Sequence, residues 1–566
     1  MSTAPATTSS AVAAADEERQ LSPARVDEPV EEAPASPQPA APPAKSPQIS
    51  AVYICASVLL WMTQGLGMNF VAANIPQLQG IFGATSTEAA WLLAAYMAPN
   101  VSLTLFLMKI RTQYGLRRFT ELGLLVFVLA SFLHFFTHDL HSAIVVRFLA
   151  GMAASPLSTL GFFYMLEAFP SEKKMSWGLS LALTCSTLAS PLARIISPYL
   201  LELGHWHGLY TMEMGLALMA LATVYMLPLT PIPHQKVLQP LDFISYPLIA
   251  IGFGVLAVVL AMGRLYWWFE APWIGVALAT SLGAVALAAA IELNRQVPLM
   301  NIRWLTSRQT LHIAAVLLTF RIVLSEQATG ATGLFQALGL LNEQSAGLYA
   351  VIIIASIAGG LTCGAILKPG RDAAIHTAAL SLIIIGALMD GHATNLTRPE
   401  QMYLSQAMIA FGGALFLPPA MASGLMYALR HGPAYITSFI IVFIFTQSIG
   451  GLMGSALFGT FVTLRQKFHL SNLADHIVLS DPVVAQRLSQ LSGAYRRVLT
   501  DGQLLNAEGV SMLAQQATRE ATVLAYNDAF LLIATIAALA LAALLIRTLF
   551  EQLSAWLAER QAPAAA

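Results

Sequence analysis

Charge is what this 566-residue chain has least of. Asp, Glu, Lys and Arg together make up 10% of it, against about 25% in an average soluble domain. The 29 Lys+Arg and 30 Asp+Glu nearly cancel, so no excess of base points to a nucleic-acid partner. A soluble protein this long would need several cores and far more charge to cover them. Cysteine is also scarce: Cys55, Cys185 and Cys363 all fall inside apolar stretches. That excludes a disulfide scaffold and a clustered metal site, and leaves buried free thiols as the expectation. No Gly-rich loop ending in Lys and Ser/Thr interrupts the polar segments, which argues against ATP-driven chemistry, and no cofactor is expected.

What is present is apolar: 57% of the residues, in blocks of about twenty separated by short polar segments, the spacing a bilayer imposes. Residues 1–48 stand apart, with nine of the 29 prolines, seven acids and three bases. They cannot bury a core and read as a disordered tail. The tail lacks the basic and apolar regions of a signal peptide, so the first helix, near Ala51, is expected to be its own insertion signal. Fourteen spans follow, near 51–73, 89–108, 119–137, 141–165, 176–200, 207–228, 243–263, 272–292, 310–330, 345–367, 374–391, 401–427, 434–462 and 527–549. In lipid, backbone groups must bond within their own segment, so the spans are helices.

Basic residues orient the set. With a cytoplasmic N-terminus, the short inside loops hold thirteen Lys or Arg, from Lys109 and Arg111 through Lys173, Lys174, Lys236 and Arg303 to Arg430. The short outside loops hold only Arg264 and Arg398. Both termini are then inside, and the polar stretch 463–526 is outside, expected to be partly helical and too long to be a mere connector.

Five charges lie away from the ends of spans: Arg147, Arg194, Glu213, Arg321 and Glu326. Each costs on the order of 3 kcal/mol at a helix centre, so each should face a partner or a wet cavity. Arg194 lies about six residues before the outer end of span five, and Glu213 about six after the start of span six. At 1.5 Å per residue their depths match within a turn, so a buried Arg194–Glu213 pair is expected. Arg147 has no evident local partner and reads as a contact for an anionic group or for a proton-linked carboxylate. Gly65, Gly67, Pro191, Pro198, Gly412, Gly413, Pro418, Pro419, Gly450, Gly451 and Gly454 favour close helix approach and a bundle that rocks about a polar centre.

Several segments resemble the fourteen-helix drug:proton antiporters of the major facilitator superfamily. Span one ends in Asn74-Ile75-Pro76, and span two opens with Trp91 and Tyr96 at the family's spacing. Tyr114-Gly115-Leu116-Arg117-Arg118 is similar to the end of the loop 2–3 motif, and Arg147 with Gly151 to the span-four motif. Gly263 to Phe269, Glu292 and Pro298 to Arg303 resemble the extra helix pair and its linker. Gln336 with Ser345-Ala346-Gly347, then Gly450-Gly451 with Gly454 and Ala456, and finally Ala525 to Phe530 resemble later parts of the pattern. Together they cover roughly 51–549.

The resemblance implies an all-helical fold: six-helix halves at 51–228 and 310–549, inserted helices at 243–292, and a cytoplasmic tail at 550–566. It implies proton-coupled export of small amphipathic organic compounds across the inner membrane. A periplasmic adaptor and an outer-membrane channel are implied as partners. The gating loop would be Gly115, Arg117 and Arg118, and the substrate or charge-pair residues Arg147, Arg194, Arg321, Asn74 and Gln64. Departures are plain. Thr112 replaces the loop 2–3 aspartate, and Arg194 and Ile195 replace the span-five Gly-Pro. Glu213 stands where a span-six Asn would fall, and Gln447 where a span-thirteen Arg would. Gly67 replaces the acid nine residues before the span-one proline, so coupling needs another carboxyl. Glu213 is the first choice and Glu326 the reserve. Two alternatives stay open: a proton-independent or importing carrier of a metabolite, and a membrane sensor or enzyme using 463–526, where His469, Asp475, His476 and Asp481 lie scattered.

Overall fold

A computed structural model describes residues 45–230, 238–295 and 298–561. Most of the Pro-rich tail, Lys236 and the last five residues lie outside this range. Every regular element described is helical. The first half contains α1 (Pro47–Ala73), α2 (Ile75–Phe82), α3 (Ser86–Tyr114), α4 (Leu116–Leu133), α5 (Leu140–Glu167), α6 (Ser171–Lys173) and α7 (Leu179–Met226). The inserted pair is α8 (Asp242–Tyr266) and α9 (Pro272–Leu293). The second half begins with α10 (Ile302–Leu305), α11 (Arg308–Val323), α12 (Thr332–Ala337), α13 (Ala346–Ile366) and α14 (Asp372–Asp390). It ends with α15 (Tyr403–His431), α16 (Pro433–His476), α17 (Pro482–Ala494) and α18 (Gly502–Gln561).

Among the described residues, thirteen segments are long and apolar enough to cross a membrane. The 29-residue α3, packed between α5 and α8, is the fourteenth. α7 supplies two of the spans. A Cβ on Gly208 would stand 2.1 Å from the carbonyl oxygen of Leu200, whereas eight residues of straight helix span about 12 Å. The chain doubles back there, giving the antiparallel pair expected of spans five and six.

Lipid-facing and core-facing stripes follow helical spacing. On α4, Leu122, Leu125, Leu129 and Phe132 are exposed, while Leu124, Phe127, Ala130 and Ser131 are buried. An exposed apolar stripe of this kind is a lipid face. α9 buries only a narrow seam, Ile274, Ser281, Ala288 and Glu292, against α8 and its neighbours. α8 in turn packs on α3 of the first half and α16 of the second. Pro419 in α15 frees the carbonyl of Leu415, which accepts from Cys363 Sγ at 3.7 Å, as a proline in a lipid-embedded helix requires. Cys185 and Cys363 are buried, but Cys55 is exposed on α1, so only two thiols match the expectation.

The stretch 463–526 is mostly helix. α16 continues to His476, α17 follows, and α18 starts at Gly502. Arg465 Nε lies 2.5 Å and His469 Nε2 2.6 Å from Asp528 Oδ2 on α18, and Gln466 Nε2 donates to Thr522 Oγ1 at 2.7 Å. Asp481 caps α17 by accepting from Val483 N. His469 is thereby engaged in fastening α16 to α18, and Asp481 in capping α17.

Candidate functional site

Two acidic centres and one polar network lie inside the bundle. The first centre starts from glycine. Gly65 and Gly67 let α1 and α7 touch: a Cβ on Gly65 would meet Ala189 Cβ at 2.3 Å, and one on Gly67 would meet Glu213 Oε1 at 2.9 Å. The Glu213 carboxyl therefore lies against α1 where a side chain at 67 would otherwise begin. Arg147 of α5 completes the contact, donating from Nη1 to the carbonyl of Gly67 at 2.9 Å, with the same nitrogen 3.8 Å from Glu213 Oε2. Its guanidinium carbon lies 4.3 Å from the Tyr96 ring centroid. Tyr210, one helical turn before Glu213, stacks on His134 at 4.1 Å. All five side chains are 0–1% exposed.

The expected Arg194–Glu213 pair is thus corrected: Glu213 pairs with Arg147. Arg194 Nη1 donates instead to Asn342 Oδ1 at 3.3 Å and lies 5.6 Å from the Tyr349 ring. Asn342 Nδ2 donates to the Ala73 carbonyl at 2.9 Å, and Ser197 Oγ to Asn74 Oδ1 at 3.1 Å. This network joins the α1–α2 junction and α7 to the turn before α13. Asn74 and Arg194 are brought together in it. Gln64, half-buried on α1, makes no side-chain hydrogen bond among the described residues.

The second centre lies in the other half. Glu326 opens a π-helical turn, Glu326–Ala331, a distortion that often marks functional positions. Gln406 Nε2 donates to Glu326 Oε1 at 2.9 Å and to Asp390 Oδ2 at 2.8 Å, and Ser405 Oγ donates to Asp390 Oδ1. Gln406 Nε2 thus bridges the two carboxyls. Both are buried, and neither has an ion-pair partner among the described residues. Arg321 does not join them. It rests against α16, where a Cβ on Gly451 would stand 2.7 Å from its Nη2, and its Nε has no hydrogen-bond partner.

The loop between α3 and α4 turns at Gly115, whose φ of 86° is the left-handed conformation that favours glycine. Arg118 is exposed, and the Arg117 side chain lies outside the described residues. An acid of the inserted pair gathers bases near this end of α3. Lys109 Nζ lies 2.9 Å from Asp242 Oδ1 at the start of α8, and Arg295 bridges Asp242 at 2.8 Å and Glu292 at 2.7 Å. The acid that orders these bases comes from the inserted pair. Sequence reasoning missed Asp242 and Asp390 because both sit at helix ends, where an acid reads as solvated.

A family model described as Major Facilitator Superfamily matches residues 57–455. Among curated proteins, the multidrug export protein EmrB of Haemophilus influenzae is 21% identical over 505 residues, 86% of this chain and 94% of that protein. The fatty acid resistance protein FarB of Neisseria gonorrhoeae is 26% identical over 260 residues, 44% of this chain. That match spans half of FarB's own length. Among solved structures, the human organic anion transporter MFSD10 aligns with a TM-score of 0.51 at 11% identity, over 87% of this chain and all of that one. The proton:xylose symporter XylE gives 0.50 at 13%, over 86% and 95%. At such identities the structures speak for the fold.

Proposed function

Because this chain belongs to the Major Facilitator Superfamily, we propose that it exports small amphipathic organic compounds in exchange for protons, with Glu213 as the coupling carboxyl. The position of Glu213 carries the reading. The resembling antiporters keep their acid on span one; here Gly67 leaves that volume open and Glu213 of α7 fills it, beside Arg147. An acid delivered from a neighbouring helix can do the same work, because coupling needs a titratable group in that space and not a particular chain position. Protonation would release Arg147 to bind an anionic group, and deprotonation would recapture it. One proton entering down about 100 mV supplies about 2.3 kcal/mol, enough for a carrier without nucleotide. The names of the relatives, multidrug export and fatty acid resistance, fit an amphipathic cargo.

The test is transport in inverted vesicles with an imposed pH gradient. Glu213→Gln should reach the membrane and bind substrate yet lose proton-driven uptake. Wild-type behaviour across the pH range would overturn the assignment. The second reading places coupling on Glu326 and Asp390, favoured by their lack of a cation; Glu326→Gln losing uptake while Glu213→Gln keeps it would establish that choice. Flux that ignores the pH gradient in the wild type would favour the proton-independent carrier.

The halves are assigned to 51–228 and 310–549, with 243–292 inserted between them and both termini cytoplasmic. Reporter fusions after Arg303 should read cytoplasmic and those near Gly493 periplasmic. The helical projection of α16, α17 and α18 would then face the periplasm, where an adaptor leading to an outer-membrane channel would dock. Pull-down of an adaptor that survives deletion of 477–501 would remove that role.

A further inference from the structure

Six polar atoms crowd around Arg147 with no hydrogen-bond partner among the described residues: Arg147 Nε and Nη2, Glu213 Oε1, the hydroxyls of Tyr96 and Tyr210, and His134 Nε2. So many orphans in one buried place are rare. They mix donors, acceptors and hydroxyls that can do either, the set that bound water bridges. His134 is distinctive among them. Its Nδ1 lies 3.0 Å from the carbonyl oxygen of Ala130, which can only accept, so Nδ1 carries the hydrogen and Nε2 is a bare acceptor. Its ring stacks on Tyr210 at 18°, and Tyr210 shares a face of α7 with Glu213 three residues on. Four residues after His134 the chain is exposed, at His138 and Asp139 in the α4–α5 turn, on the side the charge count puts outside.

We infer that His134 is a proton-relay residue: it accepts protons arriving from the outer turn and passes them through water to Glu213. The inference rests on Glu213 being the coupling carboxyl. Nε2 takes a proton from outer water and the ring becomes imidazolium. That proton moves on to the Glu213 carboxylate, which becomes a neutral acid, and the ring returns to its Nδ1–H form. Arg147 from α5 repels the passing cation and Glu213 attracts it, so the proton is handed on and not stored. Tyr210 and Glu213 face the ring from α7, Tyr96 of α3 reaches it through Arg147, and His207 stacks on the neighbouring Phe135. His138 and Asp139 lie in the adjoining turn, and His141 in the first turn of α5.

The experiment compares wild type, His134→Phe and Glu213→Gln in reconstituted vesicles. It follows proton-driven transport of a lipophilic dye across external pH, and dye counterflow at equal pH. His134→Phe keeps the stack on Tyr210 but carries no proton. It should slow proton-driven transport about tenfold or more and flatten its pH profile, with counterflow within about twofold of wild type. Should His134→Phe fail to reach the membrane, His134→Asn is read by the same criteria. If Glu213→Gln loses coupling while the His134 variant keeps wild-type rate and pH profile, the relay is overturned and the Glu213 assignment stands. If Glu213→Gln keeps coupling, both fall.

Discussion

Glu213 in the first half has a guanidinium 3.8 Å away, whereas Glu326 in the second half shares the Gln406 amide with Asp390, and among the described residues only that amide and the Ser405 hydroxyl supply hydrogen bonds to the two side chains. The first centre is electrically balanced when ionised. The second is balanced only when protons sit on it, since two bare carboxylates without a cation are the costliest state a buried site can take. Removing a partner therefore has opposite consequences. In the first half it strands a charge; in the second it removes a repulsion. Two halves built from the same kind of helices have thus been given opposite electrostatic roles.

The largest expected effect tests the first half. Arg147→Ala leaves Glu213 buried alone and should destabilise the protein by about 3–5 kcal/mol, read as a lowered unfolding midpoint in detergent. Arg147→Met with Glu213→Leu should recover most of that loss. A stable Arg147→Ala would show that the pair is not a charge pair in the interior. Next comes Gly67→Ala, whose new Cβ would stand 2.9 Å from Glu213 Oε1. It should cost about 1–3 kcal/mol by overpacking, and a double-mutant cycle with Glu213→Asp should show strong coupling. Additive losses would mean that the two positions do not meet.

Smaller effects sharpen the contrast. Arg194→Ala loses one hydrogen bond to Asn342, worth about 1 kcal/mol, and should leave the pH profile of transport unchanged. A loss as large as that of Arg147→Ala would restore the Arg194–Glu213 pairing. Smallest is Asp390→Asn. The amide oxygen can still accept from Ser405, but its nitrogen replaces the oxygen that accepts from Gln406. One hydrogen bond lost thus offsets the repulsion removed, and stability should stay within roughly 0.5 kcal/mol of wild type. A collapse in the unfolding midpoint would erase the distinction between the halves.

Helices were legible because their signal is local. The expected spans 243–263 and 345–367 meet α8 (Asp242–Tyr266) and α13 (Ala346–Ile366) within a few residues, since hydrophobic length and flanking charge lie in the segment itself. Partners were not legible. Depth along the membrane normal matched Arg194 to Glu213, but depth says nothing about rotation around a helix axis. Glu213 faces α1 and α5, while Arg194 faces Asn342 in the other half. One signal did point the right way: a glycine at 67 where the resembling family keeps an acid marks a volume that another helix can fill. His134, Tyr96 and Tyr210 carried no such mark, because a polar aromatic in an apolar run is indistinguishable from packing until its neighbours are known. Helix beyond the membrane was legible in part: 463–526 reads as partly helical, but its polar sequence does not show that α16 and α18 run into it without a break.

α18 is 60 residues without a break, about 90 Å if straight, three times the thickness of the hydrocarbon core it crosses. Such an element is a lever. Its N-terminal arm, from Gly502 to the start of the apolar stretch near Asn527, is about 37 Å long, and α17 and the end of α16 brace it. A tilt of about 10° within the bilayer would sweep the tip through about 6 Å. A rearrangement of a few degrees deep inside the protein would thus be displayed as a displacement the size of a side chain, far from the lipid.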